Sequence, residues 1–276
     1  MCAAATRLSA INKSAPVKPR THLQLLSCNI LAGGSMRGYR DYVTQSWKQV
    51  LPTRAKRGNL DEFAKLLPDF DVVGLQEADA GSLRSGFVNQ TQYLAEAAGF
   101  PYWSHQPNRK VAQFAASSNG LLTRMEPSEV LDYPLPGRIP GRGALWVRFG
   151  QGEHSLIVVI AHLALGPAAR KKQLAFLAEL IGKHEHVVLM GDLNCIAQSS
   201  ELDLLFRSTT LVPPDASSPA TFPSWRPRRA IDHVLTSSQL RIEELWTLPH
   251  PVSDHLPLAA RIRLPESLLS DTAPSS

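Results

Sequence analysis

His186-Val187-Val188-Leu189-Met190-Gly191-Asp192-Leu193-Asn194 is the stretch from which the fold can be read. An apolar run closes on a glycine, and a carboxylate and an amide follow two positions apart. Such a run, bounded by polar residues, suits a strand buried on both faces. Period-2 alternation predicts Asp192 and Asn194 on one side if the extended backbone continues. Gly191 lets backbone or ligand come close. An acidic oxygen beside an amide suits a hard cation or a phosphate, and it equally suits a strand-end turn.

The same pattern recurs on either side. Leu23 to Ile30 reads as a first strand passing through Cys28-Asn29. Asp71-Val72-Val73-Gly74-Leu75-Gln76-Glu77 is a second buried strand, again closing on an acid. Leu156-Ile157-Val158-Val159-Ile160-Ala161-His162 is apolar until it ends on an imidazole. Further strands are expected at 118–124, 144–149, 230–235, 242–247 and 258–264. Helices are expected at 60–67, stopped by Pro68; at 89–99, with Asn89 as N-cap and Gly99 as stop; and at 200–206. The clearest helix runs from Pro167 to Ile181, with proline in its first turn, Gly182 beyond its end, and Leu174, Leu177, Ala178 and Ile181 on one face. So few helices cannot cover so many two-sided strands unless two sheets also cover each other. A doubly wound parallel sheet would want a helix after nearly every strand, which the strand-only stretches 118–162 and 230–264 argue against.

With 276 residues and 43% hydrophobic content, one large core is expected. We place a single domain at 21–265, flanked by disordered tails at 1–20 and 266–276. Lys plus Arg exceed Asp plus Glu by 29 to 24, a modest excess that favours an anionic partner. The basic segments 54–57, 109–110, 170–172 and 226–229 fit nucleic acid and phospholipid headgroups alike. The basic, aromatic stretch 36–57 reads as a lid over an anionic substrate or as a solvated excursion. Arg170, Lys171 and Lys172, just inside the helix that follows His162, read as an anion-attracting rim or as a charged, solvated face. Three cysteines in a chain this long argue against a disulfide framework and for a reducing compartment. No apolar run approaches the roughly 18 residues of a membrane span, and the first twenty residues lack the apolar core of a signal peptide. The expectation is a cytoplasmic protein without a transmembrane segment; peripheral contact with a membrane stays open.

Chemistry-bearing residues gather at the strand ends: Asn29, Glu77, His162, Asp192 with Asn194, Asp232 with His233, and Asp254 with His255. Turns do not demand glutamate or histidine, so the set reads jointly as a site. Ser27-Cys28-Asn29, Leu75-Gln76-Glu77, Ser118-Asn119-Gly120-Leu121-Leu122, Ala161-His162-Leu163, Gly191-Asp192-Leu193-Asn194, Ile231-Asp232-His233-Val234 and Ser253-Asp254-His255-Leu256-Pro257 follow one another across 28–257. In that order they resemble the endonuclease/exonuclease/phosphatase superfamily of metal-dependent phosphoesterases.

The resemblance implies an α/β chain of the α+β type, a four-layer αββα sandwich of two mixed β-sheets with helices on the outer faces. It implies Mg²⁺, with Mn²⁺ as the alternative, held by Glu77 with Asn29 and Asp254. Asp192 and Asn194 would hold the nucleophilic water and the scissile phosphate, His255 oriented by Asp232 would move the proton, and His162 would stabilise the transition state. Phosphodiester hydrolysis builds charge on non-bridging oxygens, so cations and donors must be aimed there in advance. Asn119, Arg84 and Trp225 are expected to contact substrate, with surface packing the alternative for the last two. Cys28 and Cys195 adjoin this oxygen-rich set and read as packing rather than zinc ligands. The chain departs from abasic-site endonucleases, with Cys28-Asn29 for Trp-Asn and Ala78-Asp79 where a basic residue follows Gln-Glu. The expected function is a divalent-metal phosphodiesterase attacking in line with an activated water, with DNA or RNA ahead of a small or lipid diester. A phosphomonoesterase, a sphingomyelinase-like enzyme and a silent anion-binding relative are the alternatives. The last need not have kept Glu77, Asp192, Asn194, Asp232 and His255.

Overall fold

The computed structural model describes residues 4–5, 9–10, 21–30, 54–82, 85, 87–111, 115–137, 141–182, 184–214, 218–250 and 252–269. In chain order these form β1 (Ala4–Ala5), β2 (Ser9–Ala10), β3 (His22–Asn29), α1 (Arg54–Ala64), β4 (Val72–Asp79) and α2 (Gln90–Ala98). Next come β5 (Tyr102–Val111), β6 (Ala115–Thr123), β7 (Glu129–Pro134), β8 (Gly143–Phe149), β9 (Leu156–His162) and α3 (Pro167–Ile181). The remainder is β10 (His186–Asp192), α4 (Ser200–Ser208), β11 (Asp232–Thr236), β12 (Arg241–Thr247), β13 (Leu258–Arg263) and α5 (Glu266–Leu269).

The strands make two mixed sheets, ordered β1-β7-β8-β9-β10-β11 and β12-β13-β3-β4-β6-β5-β2. Each has one parallel pair at its centre, β9 with β10 and β3 with β4. The first pair stacks on the second, so the carboxyl ends of four central strands open at one end of the sandwich. Those ends carry Asn29, Glu77, His162 and Asp192. Ligands in such folds gather where parallel strands end.

Alternation explains why the runs are apolar throughout. Val188 and Met190 face the inter-sheet core with Leu25, Val72, Val158 and Ile160, while Val187 and Leu189 face outward to Leu174, Leu177, Leu202 and Leu205 of α3 and α4. On the other outer face, Phe63 of α1 and Leu94 of α2 cover Leu26, Val73 and Leu75. The result is the expected four layers. Gly74 lets the two sheets approach closely: a Cβ there would lie 2.8 Å from Met190 Cε.

Several boundaries differ from expectation. The helix predicted at 60–67 starts at Arg54 and ends at Ala64, with Pro68 in a separate 3-10 turn. β5 and β7 were not expected, because Tyr102–Val111 is largely polar and contains Pro107. An edge position accounts for β5: only the two-residue β2 lies beyond it, and its register shifts between Pro107 and Arg109. Asn89 and Gly99 bound α2 as predicted, Asn89 accepting from the Thr91 and Gln92 amides and Gly99 turning left-handed. Within 1–20, β1 pairs with β7 and β2 with β5. The core extends past 265, since Leu268 of α5 is buried against it. Most of the stretch 36–57, read as a lid or as a solvated excursion, and Arg84 lie outside the described residues. Among the described residues no helix is long and apolar enough to cross a membrane.

Candidate active site

Asp192 is the hub. Gly191 precedes it at φ 144°, and a Cβ there would fall 1.8 Å from the Ala161 carbonyl oxygen, so only glycine lets β10 lie this close to β9 where both end. In register, Asp192 is paired with His162 on one side and Asp232 on the other. Its Oδ2 accepts from Asn29 Nδ2 at 3.3 Å and lies 3.3 Å from His162 Nε2 and 3.8 Å from His255 Nε2. Burial alone would raise the Asp192 pKa, but hydrogen bonding to His162 and the nearby imidazoles hold it well below the usual carboxylate range.

Asn194 arrives differently from the expected strand continuation. It is left-handed, φ 55°, in an Asx turn whose amide donates to Asp192 Oδ1 at 3.0 Å. Its Nδ2 donates to the Leu163 carbonyl at 3.0 Å, joining this turn to the loop after His162. Glu77 is left-handed too, φ 57°, within the β-bulge between Leu75 and Ala78. A bulge re-aims a side chain, and here it brings Glu77 Oε1 to 3.9 Å from His162 Nε2, across the two sheets.

His255 Nδ1 bonds Asp232 Oδ2 at 2.8 Å, leaving Nε2 toward Asp192. Thr221 donates its hydroxyl to the same Asp232 oxygen, and the Phe222 ring lies 4.9 Å from the imidazole. Burial would lower the His255 pKa, but the Asp232 carboxylate, with Asp192 and Asp254 behind it, pushes it up to about 10. Asp254 shifts upward through burial foremost; His255 counters this, while Glu77 and Asp192 add to it. Ser253 fixes the turn, donating to the Asn29 carbonyl and accepting from the His255 amide at 2.9 Å.

The site thus brings together Asn29, Glu77, His162, Asp192, Asn194, Asp232, Asp254 and His255. Asn119 is 1% exposed, and its Nδ2 donates to Gln106 Oε1 of β5 and to the Gly143 carbonyl of β8, so its amide nitrogen is used between the two sheets. Trp225 is half-buried beside Ser224, whose amide donates to the Asp254 carbonyl at 2.7 Å. Arg170, read as part of an anion-attracting rim or of a charged, solvated face, is instead buried and bridges Glu201 of α4 at 2.8 Å, so its charge is used inside the fold. Cys28 and Cys195 are buried and unpaired, consistent with packing.

Two contributors escaped the sequence. Arg142 bonds His162 Nε2 through a guanidinium nitrogen, and Thr221 supports Asp232. The signal for Arg142 was its place between Gly141 and Gly143, just ahead of the apolar run of β8. His162 Nε2 therefore sits between an obligate donor, Arg142, and two acceptors, Asp192 and Glu77. It can serve only one kind at a time, according to whether it carries a proton.

The model of the Endonuclease/Exonuclease/phosphatase family matches residues 26–255. The chain belongs to that family. Members of the endonuclease/exonuclease/phosphatase family are hydrolases acting on phosphoester bonds and generally use divalent metals, so the chain is a phosphoesterase by membership. Among solved structures it is similar to an endonuclease/exonuclease/phosphatase from Beutenbergia cavernae DSM 12333, with 19% identity, TM-score 0.70, and 89% of this chain and 72% of that one covered. A mannosyl-6-phosphatase of Bacteroides thetaiotaomicron VPI-5482 shares 17% identity at TM-score 0.63, covering 87% and 99%. Sphingomyelinase C from Streptomyces griseocarneus shares 20% at 0.57, covering 87% and 99%. At such identities the likeness is one of fold. No curated protein matches the chain.

Proposed function

We propose that the chain is a divalent-metal-dependent phosphodiesterase that hydrolyses its substrate by in-line attack of water. The observation that carries this is the single carboxylate of Asp192, ringed by Asn29, His162 and His255 from three other elements. A carboxylate held ionised in that ring accepts from the attacking water and orients it, and it can take the water's proton once the forming oxygen–phosphorus bond has made that proton acidic. Asn194, locked to the Leu163 carbonyl, keeps that turn in place.

The residues present fit a hard cation. Glu77 and Asp254 are close enough that Glu77 helps raise the Asp254 pKa, an excess of negative charge that a cation relieves. Asn29, which donates to Asp192 through Nδ2, adds an amide oxygen, a ligand type that hard cations take. Glu77, Asp254 and Asn29 would hold Mg²⁺ or Mn²⁺, which prefer such sparse oxygen sets. Atoms of Asp192, Asp232 and His255 also lie within 4.8 Å of one another, but His255 Nδ1 and Asp232 Oδ2 already bond each other, so we assign them to proton transfer. The bound cation would polarise the phosphoryl group and offset its charge.

The chain's own groups do the rest. His255, held by Asp232 and protonated at neutral pH, is placed to give a proton to the leaving oxygen. Arg142 and His162 offer donors to the non-bridging oxygens, where charge builds up. The test is hydrolysis of bis-p-nitrophenyl phosphate by purified protein with Mg²⁺ or Mn²⁺, with p-nitrophenyl phosphate in parallel. Activity on the diester that EDTA abolishes and Mg²⁺ restores supports the proposal. Preference for the monoester would make it a phosphomonoesterase, and indifference to EDTA would remove the metal.

A further inference from the structure

Five large apolar side chains are exposed among the described residues: Phe87, Leu165, Ile196, Leu204 and Val212. Three of them sit on loops that leave strands of the active site. Leu165, 75% exposed, lies three residues after His162, and Ile196, 45% exposed, lies two after Asn194. The two loops are bonded together by Asn194 Nδ2 and the Leu163 carbonyl, and both leave the strand ends that carry His162 and Asp192. Phe87, 67% exposed, stands on the loop beyond the end of β4. The Ala80–Asn89 bridge spans its ends, and Asp79 accepts from Gly81, Ser82 and Ser85. Half-buried Trp225 lies on a fourth loop beside Asp254.

Cations accompany this apolar rim. Lys171 and Lys172 are exposed one turn into the helix that follows Leu165, and Arg226, Arg228 and Arg229 are exposed around Trp225. Exposed apolar tips interspersed with cations around a phosphate-handling cleft match the chemistry of an anionic bilayer surface, where apolar side chains enter the headgroup boundary and cations meet lipid phosphates. Nucleic acid fits less well. Strand-tracking grooves present aromatic faces for base stacking, whereas Leu165 and Ile196, on the two loops bonded together, are aliphatic.

We infer that the mouth of the site docks on an anionic phospholipid surface through Leu165, Ile196 and Phe87, flanked by Lys171, Lys172 and the Arg226–Arg229 loop. The docking rests on these surface residues alone; the corollary that the diester is a lipid headgroup rests on the phosphodiesterase proposal.

The experiment is co-sedimentation of the full chain with phosphatidylcholine vesicles, with and without phosphatidylglycerol, alongside hydrolysis of soluble bis-p-nitrophenyl phosphate. The wild type should bind the anionic vesicles, and added salt should weaken but not abolish this. Leu165→Ser and Ile196→Ser should each reduce partitioning on the order of tenfold, with the thermal midpoint and the soluble reaction unchanged. Lys171→Glu with Lys172→Glu should weaken binding only where phosphatidylglycerol is present. Failure of the wild type to sediment, or full binding by the Leu165→Ser/Ile196→Ser double variant, overturns the inference. So does an oligonucleotide whose binding falls with those serine substitutions while vesicle binding does not. Vesicle binding without any diester hydrolysis would sustain the docking surface and sink the catalytic proposal; the reverse result would do the opposite.

Discussion

At the scale of single residues, Asp232 and His255 act as one unit. Asp232 Oδ2 is held by Thr221 and bonded to His255 Nδ1, so the imidazole has one orientation and one nitrogen toward Asp192. His255→Ala is expected to lower kcat on the order of 10²–10⁴, the span of a positioned acid or base. Asp232→Asn should lose a large part of the same factor, and the double variant little more than the worse single. Steady-state kinetics on a soluble diester checks this; losses that multiply would show two independent roles and shift proton transfer to His162. Glu77 gives the opposite balance of activity and stability. Glu77→Gln removes a carboxylate that crowds Asp254 but keeps the side-chain shape. Turnover should fall on the order of 10²-fold or more through lost metal binding. The metal-free variant should melt no lower than the metal-free wild type. A clear drop in its melting temperature would show that Glu77 is structural.

At the scale of elements, the site depends on how tightly β9 and β10 lie where both end. Gly191→Ala would force a Cβ into the Ala161 carbonyl and part His162 from Asp192. It should cost about 3 kcal/mol or more, read from urea denaturation. Gly166→Ala, with nothing within 4 Å of its Cβ, should change stability by no more than about 0.5 kcal/mol. Equal effects would show that contact at Gly191 does not matter. These central strands were legible because burial on both faces leaves a continuous apolar run, and because the parallel pairs deliver their ends to one place. The strand-end residues Asn29, Glu77, His162 and Asp192 were legible for the same reason. β5 and β7 were not, since edge strands need no apolar alternation and β5 contains a proline. Asn119 was ambiguous because a polar residue inside a strand looks alike whether it bonds the neighbouring sheet or a ligand. Arg170 misled because its partner, Glu201, comes from a different helix. Arg142 was hidden in a turn whose direction only the packed sheets define.

At the scale of the whole molecule, the clustered charge predicts how stability varies with pH and metal. A group whose folded pKa lies above its unfolded value contributes stability that is complete below the unfolded pKa and is lost as pH rises through the folded one. His255, raised to about 10 from 6.5, is such a group. Asp254, raised from 3.8, has the same sign. Asp192 is lowered, so its contribution is lost only on acidification below the ordinary carboxylate range and does not vary near neutrality. His184, His186 and His233 are lowered and are neutral in both states above about pH 7. Below the thiol range, whose ordinary value is 9.0, His255 is therefore the principal group among the described residues whose resolved shift changes proton binding between folded and unfolded chain. Between about pH 7 and 8.5, the unfolding free energy of the metal-free protein should fall by up to about 1.4 kcal/mol per pH unit, the slope of one proton. Asp232→Asn, which removes the principal partner of His255, should flatten most of that slope. Saturating Mg²⁺ should raise stability at every pH in this window, by about 2.7 kcal/mol at a hundredfold excess over Kd. Urea denaturation of wild type and Asp232→Asn across this window, with EDTA and with Mg²⁺, measures all three. A flat wild-type profile in EDTA would show that the imidazole is already neutral, and would remove His255 as the donor to the leaving oxygen.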